Sequence, residues 1–379
     1  MRIFEKINVD FMGKRKFFYF LSSSLFFIGV LSAIFRGFSF GIDFKGGTEI
    51  VLEFQKVMTV GQLRPDIEKI GLGNVELKSY GGANSIIIRT ELQSVPRTLY
   101  NSVINKINKQ IENNYPGLPY QIVDSAAKSV TYSFPNADTT NALVDKLFRE
   151  GFQTSRTTTD LTNAKMTISI GISDLIKINL KERLKDNTFK ILREDQVGPK
   201  VGEELKRNAI LAVFLSLVMI LIYLAFRFKF VFAAGAVIAL FHDVLITLGL
   251  YLALFNVIPG LNLEIDLTTV AAFLTLIGYS INDTVIVFDR VREMLKIHKT
   301  MPIGEVINLA VNKTLSRTII TSGTVVFSAI VLVIFGGEVI RAFSVTMLFG
   351  VIIGTYSSVF VASALVYDYA IKTKNKLQF

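Results

Sequence analysis

The stretch Leu276-Ile-Gly-Tyr-Ser-Ile-Asn-Asp-Thr-Val-Ile-Val-Phe-Asp-Arg-Val-Arg292 sets Asn282 and Asp283 inside a run otherwise apolar enough to cross a bilayer. An acid in hydrocarbon costs about 2.5–3.5 kcal/mol on insertion scales, so its presence there points to function. Composition supports a membrane setting. Of 379 residues 51% are hydrophobic, and the mean hydropathy is +0.46, too high for an ordinary soluble domain. The net charge of +10 falls largely beside apolar runs rather than on one soluble face, which favours membrane topology over a nucleic-acid partner. With no cysteine, disulfides, thiol catalysis and thiolate metal sites are excluded.

Outward from that stretch, residues 17–35, 209–226, 230–255, 267–288, 318–335 and 343–367 form six apolar runs. Each can cross about 30 Å of hydrocarbon at about 1.5 Å per residue. The first follows Lys14-Arg15-Lys16, is longer than a signal-peptide core and lacks a small-x-small cleavage site, so it reads as an uncleaved helix. Arg227 and Lys229, the six basic residues in 290–317, and Lys372, Lys374 and Lys376 put both termini in the cytoplasm by the positive-inside rule. The expected organisation is a cytoplasmic N-terminus (1–16), a first span (17–36), an extracytoplasmic α+β domain (37–208), spans two to six (209–367) and a cytoplasmic tail (368–379).

Within the domain, 48–54 alternates as a half-buried strand does, 60–70 has helical spacing, and strands 75–80 and 85–90 flank the turn Gly81-Gly82-Ala83-Asn84. A helix over 99–111 completes a βαββα order. Closed by a last strand, that order is the ferredoxin-like unit. The pattern recurs as strand 129–134, helix 139–150, strands 154–159 and 165–172, helix 173–184 and strand 189–194. Two lobes are therefore expected, the second over about 117–194. The alternative is one larger α+β domain without internal duplication.

Asp283 falls about 16 residues, or about 24 Å, into the fourth span, in its inner half, and shares a helix face with Tyr279 and Arg290. Asn282, about 100° away, is placed to cross-link a neighbouring helix. Asp289 and Arg290 read as interfacial charges. His242-Asp243 lies near the middle of the third span. It can exchange a proton or serve as hydrogen-bonded glue worth about 1 kcal/mol, and both readings stand. Arg317 opens the fifth run at a depth comparable with Asp283. Pairing lowers the cost of both charges and makes a switch that protonation releases; the alternative is a snorkelling arginine. Gly350 and Gly354 form a GxxxG, and Gly235 is a further small residue where helices can approach.

Seven motifs resemble the SecF family, the smaller subunit of the SecDF protein-export complex. In chain order they are Gly41-Ile-Asp-Phe-Lys-Gly-Gly-Thr48, Val197-Gly-Pro-Lys-Val-Gly-Glu-Glu-Leu205, Leu240-Phe-His-Asp-Val244, Gly278-Tyr-Ser-Ile-Asn-Asp283, Asp289-Arg-Val-Arg-Glu293, Arg317-Thr-Ile-Ile-Thr-Ser-Gly323 and Phe335-Gly-Gly337. The resemblance implies a six-helix half of an RND-like transporter in the bacterial cytoplasmic (inner) membrane. It would pair with SecD beside the Sec translocon channel and use protons to draw out unfolded secreted polypeptides. Asp283 would be the embedded acid and Arg317 its basic partner, with Asn282, Asp243 and His242 along the proton pathway. Gly41, Asp43, Gly46, Gly47, Gly198, Pro199, Gly336 and Gly337 would be structural motif positions. Lys45 departs from the Thr usual in the Gly-Gly loop, and about 117–187 reads as an insertion.

Two rivals remain at this stage: an RND-type exporter of lipid or small molecules acting as a dimer, and a non-transporting assembly subunit in which Asp283 bonds a partner helix. No Walker A, nucleophile elbow or HExxH is present, so no enzyme, cofactor or metal site is expected.

Overall fold

The computed structural model describes residues 9–373, except 127, 150–151, 158–163, 185, 256 and 259–260. The last two residues of the expected 154–159 strand, together with Lys374 and Lys376, lie outside the described residues. The chain forms two compact units, Met1–Asp43 with Glu204–Phe379, and Phe44–Glu203.

In chain order, α1 (Arg15–Arg36) and a single turn, α2 (Ile42–Lys45), lead into the domain. Its elements are β1 (Gly47–Phe54), α3 (Val60–Glu68), β2 (Val75–Ser79), β3 (Ser85–Thr90), α4 (Arg97–Asn114), β4 (Gln121–Ala126), β5 (Ser129–Phe134), α5 (Ala137–Arg149), β6 (Gln153–Thr157), β7 (Ala164–Ser169), α6 (Ile172–Arg183) and β8 (Phe189–Val197). The remaining helices are α7 (Pro199–Arg227), α8 (Phe230–Leu254), α9 (Leu267–Ile297), α10 (Ile303–Phe335) and α11 (Gly337–Ser357). The last of these continues through a π turn, Ser358–Ala362, into α12 (Ser363–Thr373). With α11 to α12 taken as one helix, six helices among the described residues are long and apolar enough to span a membrane.

The helices outlast their apolar runs. α7 starts at Pro199 rather than 209, and α9 and α10 extend to Ile297 and back to Ile303. Hydropathy marks only the stretch suited to hydrocarbon, whereas a helix continues wherever a face stays packed. The extensions bury Val291 and Met294 of α9, and Val306, Ile307, Ala310 and Val311 of α10, with Phe11 and Met12 in one cluster. Arg317 therefore sits in mid-helix, not at a helix start. At the opposite end of α1, the Arg36 guanidinium donates to the Ala253 and Phe255 carbonyls at 2.6 and 2.9 Å, closing the C-terminus of α8. α1 and α8 touch backbone to backbone: a Cβ on Gly29 would stand 2.7 Å from Gly249 Cα, so neither position has room for a side chain.

In the domain, one antiparallel sheet has the order β2-β3-β1-β8 and a second has β4-β5-β7-β6. The first is the ferredoxin-like order anticipated from βαββα, but its closing strand is β8, pairing Ile50 with Glu194 and Phe54 with Phe189. That corrects the assignment of 189–194 to the second lobe. The second sheet, inserted between α4 and β8, takes its fourth strand from β4 on its N-terminal side. β4 was not foreseen because all six of its residues are exposed, leaving no in-out alternation to read. Between the lobes and single-domain expectations, the structure has two sheets with one core: Ile50, Leu52 and Ile88 belong to the same buried cluster as Val103 and Ile107 of α4 and Tyr132, Met166 and Ile168 of the second sheet. On β1, buried Glu49 accepts from Arg89 at 2.5 and 3.0 Å and from Arg193 at 2.8 Å, so its charge is matched from both neighbouring strands.

Candidate functional site

Asp283 is 1% exposed on α9. Ser322 of α10 donates to its Oδ2 at 3.0 Å. Among the described residues no hydrogen bond reaches Oδ1, and the buried Thr355 and Thr318 hydroxyls are likewise without a partner. Thr318 precedes Ser322 by one turn on the same face of α10, and Thr355 of α11 is near enough to act on the carboxyl. A carboxyl with one donor and loosely held hydroxyls around it can change its hydrogen-bond partners without dismantling a network.

The second acid is held differently. Asp243, 0% exposed on α8, accepts from Ser280 of α9 at 2.5 Å and from Ser357 of α11 at 2.7 Å, both at Oδ2. Its Oδ1 lies 2.9 Å from His242 Nδ1. The other ring nitrogen is 2.8 Å from Ser22 Oγ of α1, Ser22 is 2.9 Å from the Tyr356 hydroxyl, and Tyr356 donates to the Phe18 carbonyl at 2.8 Å. Three helices thus meet at the acid and a fourth, α1, joins through the His242 ring. The close approach needed for Ser280 comes from the GxxxG of α11, where a Cβ on Gly354 would be 3.0 Å from Ser280 Cβ and one on Gly350 would be 2.6 Å from a Leu276 methyl. Gly235 of α8 admits Val366 in the same way, at 3.1 Å.

Arg317 and Asn282 stand apart from both acids. No ion pair joins Arg317 to Asp283; Arg317 is exposed on α10 and reaches the carboxyl through space only. Asn282 is exposed too, and no bond from its side chain to a neighbouring helix is seen among the described residues. The expected contact pair and cross-link are both corrected by helix rotation: the residue adjacent to each, Thr318 or Asp283, is the one that faces inward. Asn282 continues a row on α9 with Thr275 and Gly278, and Arg317 one on α10 with Thr321, Thr324 and Ser328, all exposed. These hydroxyls on α10 bond back to their own helix, at 2.7–3.1 Å.

The glycine motifs are joints. Gly46 and Gly47 have φ of 74° and 112°. A Cβ on Gly47 would strike the Thr90 carbonyl, and one on Gly46 would lie 3.0 Å from Pro199 Cα, so the Gly-Gly and Gly198-Pro199 motifs pack against each other where β8 passes into α7. Gly41 N–H donates to the Ile265 carbonyl at 2.9 Å. Asp43 accepts the Leu267 N–H at 3.0 Å, capping the start of α9 beside Asp266, the helix that carries Asp283. Gly336 ends α10 and Gly337, at φ 73°, opens α11. Lys45 reaches Glu76 at 3.9 Å on the surface. Of the residues that make the acid sites, Ser22, Ser280, Ser322, Tyr356 and Ser357 were not anticipated. Ser280 and Ser322 fall inside two of the motifs quoted above, and the polar run Thr355-Tyr-Ser-Ser358 within the apolar sixth span flags Tyr356 and Ser357; nothing in the sequence singles out Ser22.

A six-span bundle with two sealed carboxyls, and an α+β domain between its first two spans, defines a multi-pass membrane protein with polar chemistry inside its transmembrane core. Two family models match: the C-terminal region of the protein export membrane proteins SecD/SecF over residues 177–372, and the SecD/SecF GG motif over 32–56. The protein translocase subunit SecF of Rhodothermus marinus is 36% identical over 97% of this chain and 95% of its own length. That of Koribacter versatilis is 33% identical over 97% and 93%. The chain belongs to the SecF family. The crystal structure of SecDF, a translocon-associated membrane protein, from Thermus thermophilus matches with a TM-score of 0.63 at 27% identity over 98% of this chain. SecDF in its super-membrane-facing form gives 0.56 at 27% identity over 97% of the chain. This chain spans 40% of the length of those SecDF chains.

Proposed function

We propose that this chain pairs with SecD and, with it, uses the proton motive force to promote export of unfolded polypeptides from the Sec channel across the bacterial cytoplasmic membrane, with no enzymatic step of its own. The observation that carries the reading is Asp283: an acid 1% exposed in the middle of a spanning helix, held by a single hydroxyl. Each charge that crosses 100 mV releases about 2.3 kcal/mol, enough to bias a conformational step. Arg317 acts on Asp283 as a through-space countercharge, and Asn282, His242 and Asp243 complete the polar groups along the pathway.

The need for a second helical bundle is supported by the exposed rows on α9 and α10. Arg317, Asn282 and their hydroxyl neighbours would face lipid if nothing covered them, at a cost of about 2.5–3.5 kcal/mol for the arginine alone. SecD is the partner that covers them. Cytoplasmic termini are supported by the basic residues gathered at one end of the bundle, where Arg15 pairs with Asp368 at 2.7 Å and Arg227 with Asp289 at 2.9 Å.

The test is gradient-dependent translocation of a secreted precursor into vesicles containing this chain and SecD, wild type against Asp283→Asn at matched complex levels. Loss of the gradient-stimulated component with assembly intact is expected. Unchanged translocation would make Asp283 an assembly contact instead.

A further inference from the structure

The hydrogen-bond chain leaving Asp243 determines how many protons the His242–Asp243 pair carries. Tyr356 donates its one hydrogen to the Phe18 carbonyl, which can only accept. Its oxygen is bonded to Ser22, so that bond uses the Ser22 hydrogen. With that hydrogen committed, Ser22 can only accept from His242, and Nε2 must carry a hydrogen. The Nδ1 to Oδ1 contact at 2.9 Å then holds a second hydrogen, on one atom or the other. A neutral imidazole beside a carboxylate has one hydrogen in all; this arrangement has two. At the far side of the carboxyl, Ser280 and Ser357 supply donors to Oδ2.

We propose that the His242–Asp243 pair stores a proton at a site separate from Asp283, and that Ser22 and Tyr356 are positioning residues through which its occupancy sets the tie between α1 and α11. When the proton passes to water, the remaining hydrogen stays on Nδ1, facing the carboxylate. Nε2 then accepts, Ser22 turns its hydrogen to the ring, and Tyr356 has one hydrogen for two acceptors, Ser22 and the Phe18 carbonyl. One bond of the tie is lost.

The backbone supports this assignment independently. The π turn Ser358–Ala362 begins immediately after Ser357, and π turns inserted in α-helices concentrate at functional sites. The two residues ahead of it serve different polar groups: Ser357 bonds Asp243 and Tyr356 bonds Ser22. A shift of that short segment is felt at Asp243 and at α1 together. Around the pair, α1 presents Ser22, α9 Ser280, and α11 Tyr356 and Ser357, while Leu240 and Val244, which flank the pair on α8, share an apolar cluster with Val213, Leu217 and Ile220 of α7. The other nearby titratable group, Asp283, is three residues past Ser280 and bonded away to Ser322.

The chain has two histidines, so a His298→Asn background leaves His242 as the sole imidazole. Nitrogen-15 NMR of labelled histidine, with the full chain in lipid bilayers at neutral pH, reads the ring directly. A protonated Nε2 is expected, and an unprotonated Nε2 with hydrogen on Nδ1 alone overturns the proposal. Tyr356→Phe frees the Ser22 hydrogen to donate to Nε2, so the Nε2–H signal should be lost in favour of Nδ1–H; an unchanged spectrum overturns the tie. The readout involves no export, so a negative Asp283→Asn result leaves this inference standing, and its own failure leaves the Asp283 reading standing.

Discussion

A second serine and a histidine separate the behaviour of the two buried acids. Asp243 has both oxygens engaged by groups from three helices, while Asp283, among the described residues, is hydrogen-bonded by Ser322 alone. The same logic of counted partners governs the domain's buried charge. Arg89 is sealed against Glu49 and reaches Glu76 at 3.2 Å. Arg89→Ala leaves Glu49 with only Arg193, and a buried charge stripped of a partner typically costs about 3–5 kcal/mol. Urea unfolding of the domain, followed by tyrosine fluorescence, should show a loss of that order. A loss below about 1 kcal/mol would mean that the cluster behaves as an exposed pair does.

At the level of elements, α6 carries a pH response in its first turn. Asp174 accepts the Gly171 N–H at 2.9 Å, the acidic half of a capping arrangement at a helix N-terminus that favours an anion. Yet burial, reinforced by the Glu194 carboxylate and only partly offset by the Gly171 N–H and Lys177, pushes its carboxyl up to about 6. The folded domain therefore holds this proton more tightly than the unfolded chain does. Its contribution to stability is complete below the ordinary carboxylate value and is lost as pH rises through about 6. Asp174→Asn keeps an acceptor for Gly171 and removes the charge, so it should stabilise the domain at pH 7 by up to about 3 kcal/mol and flatten the pH profile between about 4 and 6. Denaturation midpoints of wild type and variant across that range check both statements. An identical slope in the two proteins would place the titration elsewhere.

For the whole molecule, the two sheets of the domain share one core despite the insertion. Met166 of β7 is completely buried in the same cluster as Ile50 and Ile88. Met166→Ala should cost about 2–5 kcal/mol, and amide exchange should quicken in β1 and β3 as well as in β5 and β7, because a common core opens as one unit. Acceleration confined to the second sheet would show two independent units. Hydropathy and turn chemistry, which are local and periodic, were enough for the six spans, the α+β domain between the first two, and the two carboxyls inside apolar runs. Strand β8 shows where local reading stops: its pattern is that of a strand, but its partner, β1, lies more than a hundred residues away. The acid sites stop at the same limit. Ser322 rather than Arg317 meets Asp283 because the rotation of α10 about its own axis decides which side chain faces α9. That rotation is set by which face of α10 packs inward, the one carrying Thr314, Thr318, Ser322 and Ala329, and only the assembled bundle defines it.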